Sequence, residues 1–398
     1  MNGLERAKLL RELLSARARL GLETGLQKAR IIYAIFDLRK RLGMDDPEKK
    51  KTARDRVAAS PVDESSNLSA AEYAQRVSEW LPQTTVRFAS MERGNAKGTA
   101  LAIQSVLLKF PLLDSRSVIR VIGLGSDLLE VVKEKEQTLE ALAKEKTKAQ
   151  SFEEVGNGLK SKFDKAVPQM LGRNGIVIGT PTKFRNLPRQ LAKALGLEKD
   201  KELKPFFSPF ADTITQEFID KLKSRFVAVG ILNFAKSEVM KERPDLLEND
   251  VFKFRGMENS KTCYAVYGRG RGIVSTNFFK RNLNERYQED CNNKWHPTGV
   301  PMSHDGAGAQ SVITHELGHA LDFMMGISST QAMRDLWRKH HNKDMQEVLS
   351  LYADTKIEEM IAEGFAEYMM SPSPREVARI IGNCIESSYR EYERTFGD

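Results

Sequence analysis

Apolar positions recur at near-helical spacing over most of the chain and fall into period two only briefly. Leu9, Leu10, Leu13, Leu14, Leu20, Ile31, Ile32, Ile35 and Leu38 predict one or two amphipathic helices over residues 4–42. Arg11, Arg17, Arg19, Lys28, Arg30, Arg39, Lys40 and Arg41 fill their polar positions. Pro47, a lysine run and the polar stretch 60–66 then read as an exposed linker. Ser69-Ala70-Ala71-Glu72 is a capping-box pattern that opens a helix through Trp80. A helix is expected over 98–107, a strand over 117–122, a charged helix over 127–149 and a short strand at 176–178. Residues 180–241 read as mostly helical, broken by Pro188, Pro205 and Pro209. Residues 263–267 and 272–276 look like paired strands around the turn Gly268-Arg269-Gly270-Arg271. A loop follows over 290–308, then an apolar helix over 311–325 and an acidic one over 357–370.

The fold class that follows is α+β: a mainly helical chain with a small mixed sheet. The expected divisions are a basic amphipathic segment (1–45), a linker (46–68), a mostly helical region (69–250, in part an insertion) and a C-terminal catalytic region (251–398). A chain of 398 residues exceeds the usual size of one core. No apolar run approaches the length that spans a bilayer, and residues 1–30 lack the uninterrupted apolar core of a secretory signal. Cys263, Cys291 and Cys384 are odd in number and far apart, which argues against a disulfide framework and for a reducing cytoplasm.

The net charge of +8 is concentrated in residues 1–60, which hold 15 Lys/Arg against 8 Asp/Glu. A solvated helical hairpin is the plainer reading of that segment; a nucleic acid or protein partner is the sharper one. All six histidines fall at or after residue 296, so imidazole chemistry belongs to the C-terminal part. Residues 123–125 (Gly-Leu-Gly) follow the expected strand, but Leu128 stands where a dinucleotide motif has its third glycine, so a strand-to-helix turn suffices.

The sharpest chemical signal is His315-Glu316-Leu317-Gly318-His319. Histidines four apart on a helix lie about 40° apart around its axis, so both rings leave one face and can bind a single Zn²⁺, with Glu316 beside them as general base. A third protein ligand is needed. Asp322 and Met325 exclude the HExxHxxGxxH pattern. The acidic helix supplies carboxylates instead: Glu359, Glu363 and Glu367 share one face among Met360, Ile361 and Phe365. Spacing alone leaves Glu359 and Glu363 both open as the ligand. His296 and His304 read as loop histidines, and His340-His341 as a solvated helix end.

The run His315–Asp322, then Tyr352-Ala353-Asp354-Thr355, then Glu359-Met360-Ile361-Ala362-Glu363-Gly364-Phe365 resembles the catalytic domain of anthrax lethal-factor-like gluzincin metallopeptidases (HExGHAxD, YxxT, ExxAExF). Similar HELGHALD segments occur in phage and mobile-element proteins. The similarity covers roughly residues 311–396. It implies a zincin-like fold, Glu359 as the third ligand, Tyr352 as a catalytic tyrosine and a protein or peptide substrate. The expected mechanism has His315, His319 and Glu359 holding Zn²⁺, which acidifies a water, while Glu316 takes its proton and Tyr352 meets the oxyanion. Glu363 and Asp322, each one turn past a ligand, are expected to orient the imidazoles. The strand at 272–277 is expected to be the edge on which a peptide adds. The competing expectation is an inactive peptidase-fold binding or structural protein of a phage or mobile element, acting through its basic N-terminal helices; host cytoplasm or a virion would then be its setting.

Overall fold

A computed structural model describes residues 52–396 apart from 116, 150, 244, 245, 247–253 and 255, with residues 12, 34 and 38 besides. The basic helices expected over 4–42 lie outside the described residues.

The chain forms two compact units, one from residues 1–130 and 250–398, the other from 131–249. It is mainly helical with one small mixed sheet, as the hydrophobic periodicity predicts.

In the first unit, α1 (Ala53–Ala59) falls within the stretch read as linker. Thr52 caps it, and Ala53 and Val57 are buried. Two apolar positions one turn apart were too few for periodicity to show, yet they suffice to dock a two-turn helix. The predicted capping box opens α2 (Ala70–Trp80): Glu72 Oε2 accepts the Ser69 N–H at 2.7 Å, and Ser69 Oγ accepts the Glu72 N–H at 3.3 Å. Then come β1 (Thr85–Arg87), α3 (Arg93–Lys109), β2 (Val121–Leu124) and α4 (Gly125–Ala149), within which the chain leaves this unit. Gly123 lies in β2 and Gly125 opens α4, so the glycine pair is a strand-to-helix turn.

The second unit holds the rest of α4, then α5 (Glu153–Arg173), α6 (Leu187–Ala194) and α7 (Gln216–Glu242). Phe163, Val167, Leu171, Leu191, Leu203, Phe218 and Leu222 build its core. The strand expected at 176–178 is a turn: Ile176 N–H closes on Leu171 O and Thr180 N–H on Val177 O, and no neighbouring strand is there to pair with.

Back in the first unit, β3 (Ala265–Gly268) and β4 (Gly272–Ser275) form the expected hairpin. The strand order is β1-β2-β4-β3, with β1 and β2 parallel, β2 and β4 parallel, and β4 antiparallel to β3. β4 is therefore interior and buried at all four positions; the edges are β1 and β3, and the edge beside it is β3, not the strand expected. Then follow α8 (Asn284–Asn292), α9 (Ala307–Met325), α10 (Gln331–His340), α11 (Met345–Val348), α12 (Ile357–Met370) and α13 (Glu376–Phe396).

The centre of this unit is α9. Ser311 through Gly318 are buried on every side, as expected of a helix apolar nearly all round. Helices α3 and α12 flank it. Two glycines set how closely they approach. A methyl on Gly98 of α3 would lie 2.0 Å from Gly306 O, and one on Gly318 would lie 3.0 Å from Ala362 Cα of α12. Gly318, inside the His-Glu-Leu-Gly-His run, thus brings α12 and its glutamates against the two histidines.

Candidate metal centre

His315 and His319 leave the same face of α9, one turn apart, and meet Glu359 from the first turn of α12. His315 Nε2 and His319 Nε2 are 3.1 Å apart, and Glu359 Oε2 lies 3.2 Å from the first and 3.1 Å from the second. Three ligand atoms at 2.0–2.1 Å around one tetrahedral ion stand about 3.3 Å from one another, so the spacing of this triad fits such an ion. Among the described residues, His315, His319 and Glu359 are the group of this kind that can hold a metal ion.

The electrostatics call for positive charge. Glu316, Glu359 and Glu363 crowd two imidazoles in a buried site. Burial opposes a charge on His315, but the Glu359 and Glu363 carboxylates prevail and hold its pKa well above the ordinary value. Burial likewise works against a charged Glu359, and its bonds to the two histidines overcome this and push it well below the usual carboxylate range. A bound cation would take the role these protons play.

Glu316 does not face the triad alone. Its Oε2 accepts the backbone N–H of Tyr267 at 2.5 Å, which ties it to the edge strand β3. Burial raises its pKa above the usual carboxylate range, and the two histidines pull it back in part. Tyr352 sits in a short 3-10 turn, Tyr352–Asp354, just ahead of α12. Its ring stacks on His315 at 5.8 Å and 19°. Burial, then the Glu359 and Glu316 carboxylates, raise its pKa far above the ordinary phenol, so its hydroxyl keeps the proton it can donate. Cys263, at the start of β3, donates its thiol to Ala265 O at 2.7 Å. Burial and the nearby Glu316 carboxylate push its pKa up to about 12.

The three glutamates of α12 are separated by function. Glu359 faces the Nε2 atoms. Glu363 lies behind His315, with Oε1 2.7 Å from Nδ1. Glu367, fully buried, does not share the metal environment: Arg375 Nε reaches its Oε1 at 2.9 Å and Nη2 its Oε2 at 2.5 Å. Asp322 is buried, but its Oδ1 accepts the Ser328 N–H at 2.6 Å and so fastens the turn after α9 rather than an imidazole. The reason lies in the chain path: Gly326, in the left-handed region at φ 69°, folds the chain back over that carboxylate.

Two histidine readings change. His296 is buried, and its Nδ1 lies 3.1 Å from Glu363 Oε1. It is not a loop histidine facing solvent but part of the site's support, together with Ser350, whose Oγ donates to Glu363 Oε2 at 2.8 Å. The aromatic company of His296 comes from Tyr287, in the preceding helix, and from Tyr352, far along the chain, so no local pattern marked it. His304 remains in its loop, 2.8 Å from Gln310 Oε1. His340 is buried rather than solvated, and His341 Nδ1 lies 2.9 Å from Asp354 Oδ1.

No family model, curated protein or solved structure matches the chain. The reading of the site rests on its own geometry.

Proposed function

We propose that the chain is a zinc-dependent metalloendopeptidase hydrolysing peptide bonds of a protein substrate. The observation that carries this is the triad: two Nε2 atoms and one carboxylate oxygen converge at 3.1–3.2 Å, with a buried glutamate next to the first histidine. His315, His319 and Glu359 would hold Zn²⁺, and a donor set of two nitrogens and one carboxylate is one that catalytic zinc uses, with a position left open. When bound, zinc supplies the Lewis acidity that polarises a peptide carbonyl and makes water a nucleophile near neutral pH.

The chain's own groups do the rest. Glu316 accepts a proton from the attacking water at its carboxylate and returns it to the departing amine nitrogen. Its raised pKa suits it to both transfers. The Tyr267 N–H holds one of its oxygens and leaves the other for the proton. Tyr352 keeps its phenolic proton and donates it as a hydrogen bond to the oxygen that gains charge. The edge strand β3, bonded to Glu316 through the Tyr267 N–H, would be the strand beside which an extended peptide adds. Hydrolysis balances: water adds across the C–N bond, its hydroxyl to the carbonyl carbon and its proton to the amine. Residues 131–249 would be an insertion carried by the catalytic unit rather than part of the site.

The test compares wild type with Glu316→Ala on a mixed peptide library, with metal content measured in both. Cleavage by wild type alone, at equal zinc content, is the expected result. Equal cleavage by both, or no zinc in either, overturns the peptidase reading in favour of a binding protein with a peptidase-like site.

A further inference from the structure

Glu363 lies 1% exposed, and each of its three side-chain partners offers it a donor. His315 Nδ1 and His296 Nδ1 approach Oε1 at 2.7 and 3.1 Å, and Ser350 Oγ donates to Oε2 at 2.8 Å, with His296 Nδ1 3.3 Å from that same oxygen. An ionised carboxylate only accepts, so both imidazoles must carry their proton on Nδ1. For the neutral His315 ring, the form that binds a metal, this fixes the tautomer: the lone pair is on Nε2, the atom that faces His319 and Glu359. A carboxylate this deeply buried needs several donors to stay ionised, and His296 and Ser350 are the two that do not belong to the triad.

The His296 ring is itself fixed. It stacks on Tyr287 at 4.9 Å and 19°, and the Tyr287 hydroxyl is 2.8 Å from Ser311 Oγ, one turn ahead of His315 on α9. Its other contact is edge-on to the Tyr352 ring, at 5.7 Å and 81°. The backbone adds a tie between the two segments: Tyr352 N–H donates to Trp295 O at 3.1 Å.

We propose that His296 is a positioning residue of the metal centre: its Nδ1–H holds the carboxylate that orients His315, and its ring edge holds Tyr352 against the His315 ring. The inference rests on the metal reading above. It adds a residue 19 positions ahead of His315, outside the His-Glu-Leu-Gly-His run and outside α12. Removing His296 takes away the donor that reaches both Glu363 oxygens, so that the carboxylate is free to rotate toward Ser350 or toward the space the imidazole leaves. Either departure from the observed arrangement loosens its hold on the His315 Nδ1–H, which the geometry of the three donors alone sets, and outer partners of this kind change metal affinity by roughly 10- to 100-fold.

The experiment measures Zn²⁺ affinity by competition with a chromogenic chelator, in wild type, His296→Leu, His296→Asn and His296→Gln, each checked for cooperative thermal unfolding. Asparagine places an amide N–H near the Nδ1 position, and glutamine places it one methylene beyond. The expected result is affinity lowered about 10- to 100-fold in the leucine and glutamine variants and largely restored in the asparagine variant. Should the leucine variant fail to fold, the asparagine–glutamine difference carries the same test. Wild-type affinity in all variants, or asparagine and glutamine equal to each other, overturns the proposal while the metal site stands. Wild type that takes up no zinc overturns the metal reading and this inference with it.

Discussion

Three carboxylates stand one turn apart on α12 and meet three different partners. Glu359 meets two Nε2 atoms, Glu363 two Nδ1 atoms and a serine, Glu367 an arginine. Their common face was legible from i, i+4 spacing, and so was the fact that acids among Met360, Ile361 and Phe365 are turned inward. Their division was not, because Arg375 and Ser350 come from segments with no periodic relation to α12. This division predicts different outcomes for like substitutions. Glu359→Ala should abolish stoichiometric zinc, whereas Glu363→Ala should keep a site that binds roughly 10- to 100-fold more weakly. Metal analysis after dialysis against a weak chelator separates the two; equal loss, or loss only in Glu363→Ala, would put the ligand one turn away. Arg375→Ala leaves buried Glu367 without the guanidinium and with only the backbone N–H of residue 375 to hold it. It should cost about 3–5 kcal/mol in denaturant unfolding without changing how many zinc ions bind. His296 was missed for a related reason: a histidine in the loop between α8 and α9 shows nothing in sequence of a partner 67 residues on.

At the scale of elements, α9 and α12 were readable because each carries a long apolar pattern. The hairpin of β3 and β4 was readable because its strands are neighbours in sequence. Which of the two is the edge was not readable. β4 is made interior by parallel pairing with β2, and Val121 and Gly272, which pair, are separated in sequence by all the residues of the second unit. Non-local parallel pairing of this kind leaves no mark in a local window. The packing of α9 on α12 leads to another prediction. Adding a methyl at Gly318 brings it 3.0 Å from the backbone of Ala362 and 3.3 Å from Phe365 Cβ, and backbone cannot move aside as a flexible side chain can. Gly318→Ala should therefore destabilise by about 1–3 kcal/mol, less the small gain in helix propensity, and should weaken zinc binding by displacing Glu359. Thermal melting and chelator competition on one sample check both; an unchanged melting temperature would mean that the two helices separate at no cost.

For the whole molecule, the side chains described around the site all belong to the first unit and lie between Cys263 and Arg375. No helix among the described residues is long and apolar enough to cross a membrane. A metal that binds the folded chain and not the unfolded one must stabilise it. Zinc at 100 times its Kd should add about 2.7 kcal/mol, and a chelator should remove it. A melting temperature indifferent to both would speak against a site formed by folding. The most direct measurement is X-ray absorption at the zinc edge on the reconstituted protein. The account predicts one zinc per chain in a first shell of nitrogen and oxygen at about 2.0–2.1 Å, with the outer-ring scattering of two imidazoles, lost in Glu359→Ala. Sulfur scattering at about 2.3 Å would place Cys263 in the shell, and that or the absence of bound zinc would contradict it.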